Sequence, residues 1–377
     1  MRRLKDNAKE KEYLFMLSHV TGLGTISIHR LRDYFGSFEA VWNCERKELS
    51  KTGILNDKRQ EAFWGWHKKE GDLRKEYDTL EEKNIRYIAY FDSEYPSRLK
   101  PYRDSPVALY VKGDVPDDYI PSVAIVGARN CTEYGKQASE YLARELSGHG
   151  IQILSGLALG VDRAAHEGCL RANGKTFAVM GCGVNVCYPR ENYRLYMDVE
   201  NSGGIISEFP PGTVPAAMNF PMRNRIISGL SDAVVIVEAR EKSGSLITGD
   251  LALEQGKEVF ALPGRINDPL SAGCNRLLQM GAAVCLGPKD ILEFFGMEAS
   301  ENLRENKKSE KSLAKREKLV YSFIDSRPKT LDWAPSSCLT HVASLALSSP
   351  AETCAADRKS TRLNSSHNVI SRMPSSA

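Results

Sequence analysis

The chain has 377 residues, 42% of them hydrophobic and 26% charged, with a formal net charge of +3. That length allows two or three domains and a sizeable core, and no apolar run approaches the ~18 residues of a membrane span. The charged start MRRLKDNAKEKEYLFMLS lacks the apolar stretch and cleavage site of a signal peptide, and the nine cysteines contain no CxxC pair, so a cytoplasmic protein with reduced, mostly buried thiols and no metal site is expected.

Residues 1–75 read as short helices: YLFMLSHV, ISIHRLRDYFG, FEAVWNC and RQEAFWGW. Glycine turns separate them at Thr21-Gly22-Leu23-Gly24, Phe35-Gly36-Ser37 and Thr52-Gly53-Ile54. Two readings fit. One is a helix-hairpin-helix or SAM-like module whose glycine turn offers N–H groups to a phosphate. The other is a plain helical bundle with glycine C-caps. Residues 76–120 form a connecting segment with two short strands around a proline-containing loop.

Residues 121–296 are far more regular. Apolar runs SVAIVGA (122–128), IQILSG (151–156), KTFAVMG (175–181), GIISEF (204–209), AVVIVEA (233–239), EVFALPG (258–264) and AAVCLG (282–287) alternate with amphipathic helical stretches. Buried strands alternating with helices predict an α/β domain, a Rossmann-like doubly wound, mostly parallel sheet covered on both faces. Residues 297–318 are a charged linker. LVYSFIDSRPKTLD (319–332) begins something amphipathic. From residue 333 onward Ser, Ala and Thr dominate without sustained period, and no packed core is expected there.

In an open parallel sheet, ligands bind beyond the carboxyl ends of the strands. Small residues follow strand after strand here: Gly127-Ala128-Arg129, then Ser155-Gly156 and Gly160, then Gly181-Cys182-Gly183, then Ser243-Gly244-Ser245 after Glu238, and Pro263-Gly264. Such a rim lets backbone amides approach an extended anion. Residues 120–296 carry 16 Lys and Arg against 18 Asp and Glu, so an anion site must be a local cluster and not a general basic field. The stretch NFPMRNRIISGL (219–230) supplies one. It sets Phe220 beside Arg223, Asn224 and Arg225 where a helix begins, although a plain surface helix favours Asp or Glu in its first turn.

Two motifs fail on inspection. Gly174-Lys175-Thr176 resembles the end of a P-loop, but residue 169 is Cys where the first glycine belongs, and the triplet follows a helix and enters a strand. Gly181-Cys182-Gly183 is half a dinucleotide fingerprint, with Val186 at the third glycine position. Catalytic groups are sparse. His166 is a lone helical histidine, and nothing pairs a nucleophile with a base. Glu208 and Glu238 form an acid pair, cap helices, or hold the arginines. The cluster therefore reads as a grip for single-stranded nucleic acid: Phe220 as a stacking face, Arg129 with Arg223, Arg225 or both on phosphates, and the 156–160 and 243–245 turns as donors. In the competing arrangement, Phe220 packs in the core and the arginines pair with Glu208 and Glu238.

These same motifs, VAIVGARNCTEYG, SGLALGVDRAAHEGCL, MGCGVNVCYPREN, GGIISEFPPG, NFPMRNRIISGLSDAVVIVEA, SGSLITGDLALEQG and VFALPGRINDPLSAGCNRLLQMGA, resemble the bacterial DNA-processing protein A (DprA/Smf) family over about residues 10–296. The resemblance implies a Rossmann-like core behind a SAM-like domain. It implies a non-enzymatic homodimer, without cofactor, that protects single-stranded DNA and loads the RecA recombinase in natural transformation. It places the family's phosphate turn on Gly127, Ala128 and Arg129, its stacking aromatic on Phe220 and its Arg-Asn-Arg on 223–225. Two departures stand out. Ala128 replaces a serine, so the backbone must serve alone, and Ala217 stands where some members carry lysine; weaker binding is expected. Family members often end in a winged helix. Residues 319–332 look like its start, but DRKSTRLNSSHNVISRMPSSA resembles out-of-frame translation, so residues 333–377 are expected to be disordered and without function. Two other readings compete with this one. A phosphoribohydrolase-like enzyme of the lysine-decarboxylase-like group needs a PGGxGT loop, and only Pro263-Gly264-Arg265 is present. The last is a nucleotide-sensing scaffold.

Overall fold

The computed structural model describes residues 2–297, with side chains from residue 7. The linker beyond Met297, the winged-helix start at 319–332 and the tail at 333–377 lie outside the described residues.

Six helices come first: α1 (Arg2–His19), α2 (Thr25–Phe35), α3 (Phe38–Trp42), α4 (Arg46–Lys51), α5 (Asp57–His67) and α6 (Glu70–Asp78). The consecutive run Leu14, Phe15, Met16 and Leu17 is fully buried, so the second half of α1 is apolar all round and the other helices wrap it. The turns follow local chemistry. Gly36 closes α2 at φ 88° in the left-handed region, and its N–H bonds to the Arg32 carbonyl. Ser37 then caps α3 by accepting from Ala40 N. Glu10 reinforces that start by accepting from the N–H groups of Phe38 and Glu39. Asn56 caps α5 in the same way.

The described residues after α6 form one nine-stranded sheet with helices on both faces. Its elements are β1 (Arg86–Ala89), β2 (Ala108–Gly113), β3 (Ser122–Val126), α7 (Glu133–Gly148), β4 (Gln152–Ser155), α8 (Val161–Arg171), β5 (Thr176–Val179), α9 (Tyr193–Ser202), β6 (Gly204–Ser207), α10 (Asn219–Leu230), β7 (Ala233–Ile236), α11 (Gly244–Glu254), β8 (Glu258–Ala261), α12 (Ala272–Gln279), β9 (Ala283–Val284) and α13 (Pro288–Phe294). The strand order is β1-β2-β6-β5-β4-β3-β7-β8-β9. All pairings from β6 to β9 are parallel, while β1 and β2 are antiparallel. The chain winds from β3 outward to β6, then returns across β3 to β7 and continues the other way. That reversal opens a crevice at the carboxyl ends of β3 and β7.

The α/β expectation holds, with one difference in organisation. The 76–120 segment is not merely a connection. Its strands extend the core sheet, with Tyr110 of β2 opposite Ser207 of β6. The core of the helical module is continuous with that of the sheet. Phe15 meets Tyr87 at 5.3 Å and Tyr110 at 6.1 Å between ring centroids, and one apolar cluster runs from α1 through β1 and β2 to Ala178, Leu195 and Ile205. Among the described residues no helix is long and apolar enough to cross a membrane. Cys44, Cys169, Cys182, Cys274 and Cys285 are buried free thiols, and no group of His, Cys, Asp or Glu has metal-site geometry among the described residues.

The shared core carries a stability prediction. We expect Phe15→Ala to destabilise the protein by about 3–5 kcal/mol. In guanidinium, tryptophan fluorescence and far-UV circular dichroism should still report one coincident transition; separate transitions would show a module that folds independently.

Candidate nucleic-acid interface

The crevice at the switch point is a cleft of about 650 Å³, and it gathers Gly127, Ala128, Arg129, Phe220, Arg223, Asn224, Ser243, Gly244 and Ser245. Its floor is set by the turn after β3. A side chain at Gly127 would meet the Val161 methyl at 2.7 Å, so only glycine lets this turn pass so close to α8. Ala128 N donates to the Glu238 carbonyl at 2.8 Å, and Ala128 O accepts from Val161 N. The expectation that the Ala128 backbone serves a phosphate is therefore corrected: its N–H is already bonded. The Glu238 carboxylate accepts from Thr132 N at 2.8 Å and from the Thr132 hydroxyl, and Thr132 caps α7. Glu238 thus locks the loop that presents Arg129 and holds neither arginine.

The other wall is the start of α10. No acidic residue stands in its first turn, so the positive end of the helix is left uncompensated. Phe220 is half-buried. Its ring lies on Gly181, where an added Cβ would stand 2.9 Å from ring atom Cδ1. The Arg129 guanidinium is 5.2 Å from the ring centroid and that of Arg223 is 5.9 Å away. Both distances are within cation–π range. Tyr188 flanks the ring at 5.6 Å with planes inclined by 34°.

The two guanidiniums differ in kind. Arg129 is exposed. Arg223 is 5% exposed and donates to the carbonyls of Gly156, at 2.9 Å, and Val179. Behind it sits buried Asp162, which accepts from Gly156 N at 3.1 Å and Ala158 N at 3.4 Å. Burial pulls the Arg223 pKa down to about 10, with Asp162 opposing. It therefore stays charged at neutral pH and adds a fixed positive field to the cleft. Burial pushes Asp162 up, against the pull of Arg223. Across the cleft, Ser243 caps α11, and its hydroxyl lies 2.8 Å from that of Ser245. The cleft is thus bordered by a second helix start, a natural seat for an anion. The Asn224 amide donates to the Gly244 carbonyl and fixes that turn to α10.

Several expected residues have other work. Ser155 is buried and donates to the Ile125 carbonyl. Gly156 donates to Asp162 and accepts from Arg223. Gly160, at φ 76°, opens α8 and passes 2.3 Å, measured from a would-be Cβ, from the Ala128 carbonyl oxygen. Gly181 is the bed of the Phe220 ring. Gly183 N donates to the Thr213 carbonyl. These five shape the cleft without lining it. Arg225 faces away and pairs with half-buried Glu208 and, at 3.9 Å, with Asp104. Of the two readings for the arginines, Arg225 follows the ion-pair one and Arg223 lines the cleft. His166 lies in the core with Nδ1 2.7 Å from the Thr176 hydroxyl, and burial lowers it to about 3, so it is a neutral structural group.

The sequence reading missed Asn130, Tyr188, Arg240 and Lys242, all of which line the cleft. Arg240 and Lys242 follow β7 directly, and that position at a strand's carboxyl end was their available signal. Among the described residues, Arg129, Arg240 and Lys242 have no ion-pair partner, and Asp162 is the only carboxylate in the lining. The arrangement can hold anionic groups along the rim and one flat ring beside Phe220.

The Arg225–Glu208 pair generates a prediction about stability. We expect Glu208→Ala to cost about 3 kcal/mol or more by stranding a mostly buried guanidinium, and the double change Glu208→Leu with Arg225→Met to recover most of that loss. Denaturant midpoints of the three variants check it.

The family described as DNA recombination-mediator protein A matches residues 86–296, the whole sheet and its helices. DNA processing protein DprA of Bacillus subtilis is 44% identical over 213 residues, 56% of this chain and 72% of that one. The crystal structure of DNA processing protein A from Streptococcus pneumoniae superposes with a TM-score of 0.65 at 34% identity, covering 75% of this chain and 97% of that one. The structure of DNA processing protein A from Helicobacter pylori, solved to describe that protein's single-stranded DNA binding, gives 0.50 at 35% identity over 56% and 95% of the two chains. The nine-stranded doubly wound sheet, the rim cleft and these likenesses agree: the chain belongs to the DNA recombination-mediator protein A family, DprA/Smf.

Proposed function

We propose that the protein binds single-stranded DNA without sequence preference, protects it and hands it to the RecA recombinase in natural transformation or DNA recombination, as a cytoplasmic homodimer with no enzymatic activity and no cofactor. The observation that carries the reading is the pairing of the Phe220 ring with the Arg129 guanidinium, 5.2 Å apart, at the mouth of a cleft with further unpaired cations. A ring beside cations suits a nucleotide strand: the base stacks, the phosphates meet guanidinium and ammonium groups, and no hydrogen-bonding pattern selects one base. The single-stranded DNA binding of the relative from Helicobacter pylori supports it. A binder that makes and breaks no bond leaves the strand intact for a recombinase, and the transfer and dimer steps rest on family membership.

Oligo-dT titration by fluorescence anisotropy tests the reading. With three or four cations engaged, log K should fall against log salt with a slope of about −2 to −3, and Arg129→Ala should reduce its magnitude by about 0.7. Phe220→Ala should weaken binding ~5- to 150-fold, the worth of one stacked base at ~1–3 kcal/mol. Unchanged affinity in both variants would overturn the site. Lys289→Ala, which removes an exposed cation on α13 outside the cleft lining, should bind as the wild type does.

A second prediction concerns the bed of the ring. Gly181→Val puts side-chain atoms where the Phe220 ring lies. We expect its oligo-dT affinity to drop towards that of Phe220→Ala, with the salt slope retained because no cation is removed.

A further inference from the structure

A second basic, aromatic groove lies between the helical module and the sheet. It encloses about 580 Å³ and is lined by Arg30 of α2, Tyr90 after β1, and Lys100, Tyr102 and Arg103 of the loop before β2. Arg30, Lys100 and Arg103 are exposed, and among the described residues none has an ion-pair partner. Among the described residues Asp33 is the only carboxylate in the lining. Three uncompensated cations around two half-buried phenol rings repeat the chemistry of the rim cleft at a separate place.

The loop is held rigidly. Arg98 bonds Asp232 through Nε and Nη2, both at 3.0 Å. The Tyr95 hydroxyl donates to the Pro106 carbonyl at 2.7 Å. The Tyr102 hydroxyl donates to the Gln255 carbonyl, and the Lys257 ammonium stands 5.8 Å from its ring. Both walls are therefore preformed, and they meet only because the module docks on the sheet.

The groove also continues from the rim. The start of α10 divides two cavities: Phe220, Pro221 and Arg223 face the rim cleft, while Met222 and Arg225 line a cavity of about 450 Å³ on the other side. That middle cavity shares Ile26 and Pro106 with the groove. Exposed Met218 and Met222 stand at the crossing, an apolar shoulder over which bases can pass. A ligand reaching from one basic cavity over this shoulder to the next must be long, flexible, anionic and ring-bearing.

We propose that the groove is a second contact for the same DNA strand, taken up after it leaves the rim and crosses the start of α10. This rests on the reading of the rim as strand-binding. It makes the helical module part of the DNA-binding surface through the Arg30 face of α2 and not through its glycine turns.

The test compares full-length protein on a short oligo-dT that fills only the rim with one several-fold longer. The triple variant Arg30→Ala, Lys100→Ala, Arg103→Ala removes exposed side chains only. It should bind the short strand as the wild type does, lose about tenfold on the long one, and show a long-strand salt slope smaller in magnitude by about 2. Long strands carrying 5-iodouracil should crosslink to Tyr90 or Tyr102. Arg129→Ala, measured in parallel, should weaken both lengths. A loss confined to Arg129→Ala overturns the groove alone. Absence of any loss in Arg129→Ala overturns the rim and the groove with it. Mononucleotide binding that depends on the three cations, with oligonucleotide affinity unchanged, also overturns the proposal.

Discussion

The buried guanidinium of Arg223 is the interaction on which the site depends. It bonds the carbonyls beyond β4 and at the end of β5, with Asp162 behind it as partial counter-charge. This ties the first turn of α10 to the rim. A cation with few routes to water is costly unless its donors are satisfied, and that cost fixes the geometry: the helix start can sit in one place only. Phe220, three residues earlier, is then laid on Gly181 within reach of Arg129.

The domain is slightly acidic overall, yet its cleft is positive, and the reason is the division of labour among the charges. The acids near the site are used internally. Glu238 binds Thr132, Asp162 binds backbone amides, and Glu208 binds Arg225. Among the described residues Arg129, Arg240 and Lys242 are left without acidic partners, and two helix starts point their positive ends the same way. The field is therefore local, as the near balance of charge requires. It vanishes from any count made over the whole domain.

The helical module and the sheet are one folded unit by the same logic of burial. Short helices of five to eleven residues are marginal alone, and α1 is apolar on every side over 14–17. Its Phe15 finds cover against β1 and β2, which themselves sit at the edge of the sheet. The module shields that edge region, and the sheet supplies the surface the module lacks.

The alternation of apolar strands and amphipathic helices, the small residues after several of the strands and the odd stretch at 219–230 are legible in the residues, because strand burial and turn stereochemistry are local matters with strong periodic signatures. So are the fold class and the pairing of an aromatic with arginines. What sequence could not settle is which donors stay available. Gly156, Gly183 and Ala128 look like phosphate-facing amides along the chain, but their N–H groups are taken by Asp162, Thr213 and Glu238, partners 6 to 110 residues away. Arg223 and Arg225 are two residues apart and look alike, yet helical rotation sends one to the rim and the other to Glu208. Hydrogen-bond satisfaction and helix facing depend on what the fold brings near. Only the tertiary structure decides them, and it also brings Arg240 and Lys242 into the cleft and joins α2 to the loop at 100–106.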